Sequence, residues 1–484
     1  MMASQTTLEE KFVELQEAKQ THQNSHPKIQ KVAEYLRNRK NFDKQYSPKL
    51  VSIGPIHHDN QNLKLGESYK LTWAAKYIQT TQCSPQILYK KIADNINELK
   101  GLFADDVLAL ANAAESLKGF RSLEEKLSWL LFVDGCSLLY ILVNVNLDQL
   151  DEPKDVDIKV DQLVLVIMDA LLLENQLPYL VLKLLWINDN ETELVDIMKN
   201  FLKCHHWATP ETKRKWKWQR ILESKSTENF SNMVHSKKGK EEVHHNDTVL
   251  ELPKESSPIH LLDLQRKIIL TKSNSKTESD NEANNKKKKQ IGKNSEEKTK
   301  MMTYRNIQDL RAAGIKLKSS ATRRPTDVDF SEGWFAAKLT LPEIVVDDTT
   351  ASTFLNLVAY EMCPDFKNDY GICSFAVFMD SLIDHPEDVK ELRSKGILLN
   401  SLGSDEEVAD LFNIISTDLV PNSETYLEIR AKIHEHYCNK WKTWIALGYH
   451  TYFNNPWAIT GFVAAFIALA LTFVQTWFSI YPRS

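Results

Sequence analysis

Three groups of residues in this chain have the types and spacing that chemistry needs. His57-His58-Asp59 follows the Gly54-Pro55 turn, and imidazole and carboxylate are ordinary zinc ligands. Adjacent histidines do not form the i, i+4 pair that a helix presents to a metal, and His205-His206 and His244-His245 repeat the pairing outside any metal-like setting. A turn with hydrogen-bonded imidazoles is the expectation. Asp169 and Glu174-Asn175-Gln176 interrupt the apolar run from Leu163 to Trp186, where each unbonded polar group would cost roughly several kcal/mol. Read functionally, Asp169 and Glu174 are a carboxylate site. Read structurally, they satisfy backbone groups freed at a helix end ahead of Pro178, and this reading is preferred. Asp347-Asp348, Asp327 and Asp329 gather around an expected hairpin, as a divalent-metal or hydrolytic site requires, although loops collect aspartate for turn chemistry in any case.

Phosphate-binding, dinucleotide, nucleophile-elbow, metalloprotease and C-x-x-C motifs are all missing from the sequence. No catalytic, cofactor-binding or metal residue is therefore assigned. The alternative is a membrane-tethered hydrolase acting through Asp347/Asp348 or Asp169/Glu174.

The elements that position these residues follow from length and pattern. The chain's 484 residues exceed what one hydrophobic core holds, and 42 % apolar with 26 % charged composition is that of a globular protein. A net charge of −5 gives no general attraction to nucleic acid, and none is expected as a partner. Cys83, Cys136, Cys204, Cys363, Cys373 and Cys438 are scattered, several within apolar runs, which suits reduced thiols rather than a disulfide framework.

Residues 1–25 carry no secretory signal; Leu8, Phe12 and Leu15 share one face of an amphipathic helix expected to pack on its own domain. Residues 26–223 form a helical first half. Trp129–Val145 and Leu163–Trp186 are apolar enough to suggest membrane spans. Asp134 in the first, and Asp169, Glu174 and Lys183 in the second, make buried core helices the better reading, since a central Asp or Lys costs roughly 2.5 to 3.5 kcal/mol to insert. Residues 224–300 are a largely disordered linker with one docking helix at 258–270; its Lys286–Lys289 run lies among acidic residues and reads as solvated tail. Residues 301–450 are α+β, with two strands in DVDFSEGWFAAKLTLP around Ser331-Glu332-Gly333, glycine helix stops at Gly314 and Gly396, a cap at Ser404, and a Trp-rich helix from Tyr426 to Tyr452 that contains Trp441 and Trp444. The fold class is thus mostly α with a small β-hairpin or sheet region, plus one C-terminal transmembrane helix.

That helix is the strongest signal. Trp457–Ile480 contains no charged residue, and its 24 residues span about 36 Å against a hydrocarbon core of about 30 Å. Trp457 and Trp477 sit where aromatic belts would lie, with Ile480 closing the run. Gly461, Ala464, Ala465 and Ala468 follow small-xxx-small spacing, which permits weak homo-association through the span.

Several blocks taken together, YSPKLVSIGPIHH, Asp134-Gly135-Cys136, LLLENQLPYLVL, HLLDLQRK, LRAAGIKLK, LPEIVVDD, NLVAYE, DVKELRSKGILLNSLGSDEEVADLFN and NPWAITGFVAAF, resemble the plant family known as domain of unknown function 247. Departures are small: family members usually carry an aromatic at the positions of Ile56 and Ser137. The resemblance implies a plant protein with a single C-terminal span, in a family whose grass members are implicated in pollen and pistil recognition. It supplies no catalytic residues.

A membrane-anchored interaction or recognition protein is the resulting expectation, with protein partners unnamed and no cofactor. Lys440 and Lys442 before the span against Arg483 beyond it, together with reduced cysteines, favour a cytosolic body. With three residues after the span, insertion is expected after synthesis. The sequons at Asn190, Asn229 and Asn246 would report the opposite orientation.

Overall fold

The computed structural model describes residues 11–13, 27–39, 43–113, 117, 119–145, 156–188, 190–203, 257–271, 306–320, 322–333, 337–366, 370–422, 424–438 and 456–480. The first half is organised around the helix Leu123–Asn144. Ser122 starts it, its hydroxyl accepting from the Glu125 N–H at 3.2 Å, and Glu124 and Glu125 place negative charge against the positive helix end. Apolar residues on all sides of this helix are then buried by the helices Lys64–Thr81, Pro85–Asp94, Tyr179–Leu185 and Glu191–Leu202 packed around it. Gly135 lets one of these come close: a Cβ there would lie 2.5 Å from Leu185 Cδ1 and 2.8 Å from Val181 Cγ1. The helix is long and apolar enough to cross a membrane by composition, yet 83 % of its apolar window is buried inside the protein.

The second apolar run is not one helix. It breaks after Val160–Asp169, passes through a 3-10 turn at Leu173–Asn175 and resumes at Tyr179–Leu185, with a bend of 100° between the two arms. Pro178 stands at the N-cap of the second arm, where its missing N–H costs nothing.

The second half carries the sheet. Strands β1 (Ile315–Ser319), β2 (Asp329–Glu332) and β3 (Ala337–Leu341) lie in the order β1-β3-β2; β2 and β3 form the expected antiparallel hairpin with Phe330 opposite Leu339, and β1 runs parallel to β3 with Ile315 opposite Ala337. A separate parallel pair joins β4 (Ile344–Val346) to β5 (Leu398–Asn400). The helices Thr350–Glu361, Gly371–Asp380, Pro386–Ser394 and Asp405–Ile415 supply the rest of this core. Gly396 has φ of +63°, and the Gly396 N–H bonds the Arg393 carbonyl while Ile397 N–H reaches Leu392, a Schellman stop; Gly314, at φ +80°, ends Ile307–Ala312 with its N–H on Arg311. Ser404 accepts from the Glu407 N–H at 3.1 Å.

Apolar side chains divide into two cores, and two segments straddle them. In the helix Leu261–Leu270, Leu261, Leu264 and Ile268 belong to the first core while Leu262 and Ile269 belong to the second. Near the N-terminus, Ile29 and Leu50 pack in the first core but Val32, Leu36 and Tyr46 pack in the second. The halves drawn from sequence at residue 301 therefore share structure: Val32, Leu36 and Tyr46 pack with the later half.

Of the N-terminal amphipathic stretch, residues 11–13 are helical and Phe12 is 57 % exposed, which differs from the packed face expected for it; Leu8 and Leu15 lie outside the described residues. The helix expected from Tyr426 to Tyr452 is described as Leu427–Cys438, with Trp441 and Trp444 outside the described residues; residues 204–256 and 272–305, which take in most of the linker, the histidine pairs at 205–206 and 244–245 and the lysine run, lie outside them too. The final helix, Pro456–Ile480, stands apart. Thr460–Trp477 is wholly unburied, and nothing lies within 4 Å of a Cβ added at Gly461.

Candidate functional site

The polar residues singled out in sequence converge on one buried segment. Residues 49–54 form an irregular segment through the first half, with no strand paired to it among the described residues. Buried N–H groups must be paired, so side chains take the place of a sheet. Asp169 accepts from the N–H groups of Lys49, Leu50 and Val51 at 2.9, 2.7 and 2.9 Å. Asn175 Oδ1 accepts from Ile53 N at 2.6 Å, and its amide donates to the carbonyls of Val51 and Asp169, both at 2.9 Å. Asp134 Oδ2 accepts from Gly54 N at 2.8 Å, where the backbone takes φ +79°. Gly66 completes the cradle: a Cβ there would sit 1.9 Å from the Leu50 carbonyl oxygen, so the helix Lys64–Thr81 packs backbone to backbone on this segment.

Gln176 closes the break between the apolar arms. Its amide donates to the carbonyls of Ala170 and Leu172 at 2.9 and 2.7 Å, and its oxygen accepts from Leu262 N at 3.0 Å, which pins the helix Leu261–Leu270 to the bend. Asn175 and Gln176 thus bond carbonyls freed at the helix end, as the structural reading has it, whereas Glu174 does not.

Asp169 and Glu174 do not form a pair. Glu174 faces another way, taking the Val32 N–H at 2.8 Å, Arg37 Nη2 at 2.5 Å and His57 Nε2 at 2.9 Å. Burial opposes its charge, but His57 and Arg37 outweigh that and hold its pKa below the usual carboxylate range. Burial pushes Asp169 up to about 6, with the three N–H donors pulling the other way.

One arrangement has the appearance of a nucleophile and base. Lys70 Nζ lies 3.3 Å from Ser52 Oγ, 2.6 Å from Asp134 and 2.9 Å from Glu67, and Ser52 donates to Glu67 at 2.5 Å. Burial opposes the Lys70 ammonium, yet Asp134 and Glu67 more than offset it and its pKa is raised, the wrong direction for a lysine that must accept a proton. Ser52 is 0 % and Lys70 1 % exposed. The cluster works as a buried ion pair joining two helices.

His57 and His58 do not share a ligand. His57 is bound to Glu174, His58 Nδ1 stands 3.9 Å from Glu67, and Asp59 pairs with Lys126 at 3.3 Å. Nor do the later aspartates gather. Asp347 accepts from the N–H and hydroxyl of both Thr349 and Thr350, capping the helix Thr350–Glu361; Asp327 bonds the Thr322 hydroxyl; Asp329 is exposed on β2. Among the described residues no three His, Cys, Asp or Glu side chains are grouped to hold a metal. The cleft lined by Met168, Leu171, Thr349, Ser352 and Thr353 has ≈ 10 Å³ of free volume, room for about one water.

A second network was not foreseen. Glu361, 0 % exposed, accepts from Arg266 at 2.6 Å and from the N–H groups of Ile372 and Cys373 at 3.0 and 2.8 Å; Asp263 accepts from the Tyr360 hydroxyl and Ile259 N, each at 3.0 Å, and pairs with Lys267 at 2.8 Å. Asn356 accepts from Leu173 N at 2.8 Å and donates to the Gln45 carbonyl at 2.9 Å, tying the second half to the first. The available signal was the single acidic or amide residue inside an apolar helix, in NLVAYE and HLLDLQRK, the same signal that drew attention to Glu174.

A family model described as plant protein of unknown function, domain of unknown function 247, matches residues 29–471. The chain belongs to this family. Among curated proteins it is similar to UPF0481 protein At3g47200 of Arabidopsis thaliana, 26 % identical over 449 residues, or 90 % of this chain and 82 % of the relative. Putative UPF0481 protein At3g02645 of the same plant is 29 % identical over 175 residues, 36 % of this chain and 32 % of that protein. No solved structure matches. The match to the family model runs through both cores and into the final helix.

Proposed function

We propose that this protein is a membrane-anchored interaction module, in which the helix Pro456–Ile480 crosses a bilayer and the helical body binds protein partners on the cytosolic side. The observation that carries this reading is the final helix: 25 residues without a charged group, its described side chains facing no part of the body. An apolar surface of that length in water would be a strong aggregation site, whereas a hydrocarbon core of about 30 Å matches it. The fate of the carboxylates adds support. The buried Asp134, Asp169, Glu174 and Glu361 and the half-buried Asp347 are all engaged in capping, ion pairing or holding backbone, which favours binding surfaces over these groups as the bearer of function. Free thiols at Cys83, Cys136, Cys363, Cys373 and Cys438 suit a reducing compartment.

Orientation is tested in native vesicles. A cytosolic body keeps its gel mobility after glycosidase treatment and is digested by protease added outside. Glycan on Asn229 or Asn246 with protease protection puts the body on the other side. Proximity labelling from the body then identifies the partners.

A further inference from the structure

The N-terminal segment contains two arginines in contrasting states. Arg37 is matched, with Asp43 and Glu174 each at 2.5 Å. The Arg39 side chain is 9 % exposed, yet Nε, Nη1 and Nη2 all lack a hydrogen-bond partner; the carboxylate facing it is Asp418 at 3.6 Å, too far for a hydrogen bond. Asp418 is itself 72 % exposed, on the turn that follows the helix Asp405–Ile415, where the backbone takes φ +55°. A guanidinium withdrawn from water without its bonds is costly, because the desolvation is unrepaid. Tyr46 supplies a second orphan: its side chain is 0 % exposed, and its hydroxyl is buried with no partner. Burial pushes this phenol up to about 12 while Arg39 and Arg37 pull it down, so it remains protonated.

We propose that Arg39 is the receptor for a phosphate-type oxyanion that enters by displacing the Asp418 carboxylate. The chemistry follows from the donors: a planar fork of guanidinium N–H groups matches two oxygens of a phosphate. Positive charge is in excess at this point because the Arg37 charge is consumed by its own carboxylates and Asp418 is loosely held. Access requires movement of an exposed turn and not of the core. Free phosphate and a phosphorylated lipid headgroup present the same group. This site is independent of whether Pro456–Ile480 crosses a bilayer.

The test uses the full chain in detergent micelles, with melting followed against inorganic phosphate at constant ionic strength set by chloride. Wild type should show a saturable rise in melting temperature. Arg39→Gln should lose it, Arg39→Lys should weaken it through loss of the fork, and Asp418→Asn should shift the midpoint to about tenfold lower phosphate by removing the competing carboxylate. A short-chain phosphoinositide that saturates far below inorganic phosphate assigns the site to a lipid headgroup; equal midpoints assign it to free phosphate. An equal rise in wild type and Arg39→Lys, or no saturation in wild type and Asp418→Asn alike, overturns the proposal. So does an Asp418→Asn chain that melts lower with an unchanged phosphate response, since Arg39 and Asp418 would then be a structural pair. These last outcomes hold even if Arg39→Gln fails to fold.

Discussion

His260 should make this protein sensitive to mild acid. It stands at the N-cap of Leu261–Leu270, 1 % exposed, with Nδ1 accepting from the Asp263 N–H at 3.1 Å and its ring against Tyr360 at 4.8 Å. Burial lowers its pKa from 6.5 to about 4, against a smaller pull from Asp263. Protonation would also remove the lone pair that caps the helix. Between those values the unfolded chain binds a proton that the folded chain refuses, so stability is full above pH 6.5 and is lost as pH falls towards 4. Linkage puts the loss at about 2 kcal/mol between pH 7 and pH 5, and roughly 3 kcal/mol by pH 4. Asp169 acts in the opposite sense: with its pKa raised to about 6, the stability it lends is full below the unfolded value of 3.8 and disappears as pH rises through 6. The raw pH profile therefore mixes both. His260→Asn keeps an acceptor for the Asp263 N–H and cannot titrate, so the informative quantity is the difference between wild type and variant in denaturant midpoint, measured at pH 7 and pH 5. That difference should move by about 2 kcal/mol in favour of the variant on acidification. Parallel profiles would refute the reasoning and mean that the imidazole is not held neutral.

Other substitutions test other joints of the network. Gly66→Ala should cost several kcal/mol or prevent folding, as its Cβ meets the Leu50 carbonyl, while Gly101→Ala, with nothing within 4 Å, should be neutral or stabilising by roughly 0.5–1 kcal/mol; melting curves of the two compare directly. Lys70→Met should lose about 3–5 kcal/mol by stranding Asp134, and adding Asp134→Leu should recover part of that in a denaturation cycle. Asp347→Ala should cost about 1–2 kcal/mol through the lost cap on Thr350–Glu361 and leave membrane partition unchanged in a flotation assay.

Local signals in the sequence carried well into the structure. The stops at Gly314 and Gly396 and the cap at Ser404 depend on neighbours within a few residues and stand where their patterns put them; the β2–β3 pair forms too, but Ser331 and Glu332, expected at its turn, are still paired in β2 with Lys338 and Ala337. Strands β4 and β5 were not legible, because a parallel pair between Ile344–Val346 and Leu398–Asn400 is joined through three intervening helices in the chain and not by any turn signal. The candidate site was half legible. That Glu174, Asn175 and Gln176 must be bonded followed from their apolar setting; that their partners lie at residues 32, 37, 51, 53, 57 and 262 is tertiary information. The same distance hid the pairing of Lys70 with Asp134, since Lys70 reads as an ordinary helix-surface lysine until the second helix is laid against it.

The central claim is that Pro456–Ile480 lies in a bilayer, and partition of the full chain tests it most directly. Phe466 and Leu469 are 66 % and 71 % exposed on this helix, so Phe466→Arg with Leu469→Arg disturbs no packing in the body but adds a penalty of roughly 5–7 kcal/mol at the centre of the span. Membranes from cells expressing either chain are washed in alkaline carbonate and floated on a density gradient. The prediction is that wild type stays with the vesicles while the doubly charged chain is released with an unchanged body melting temperature; equal retention of both, or release of both, would contradict it.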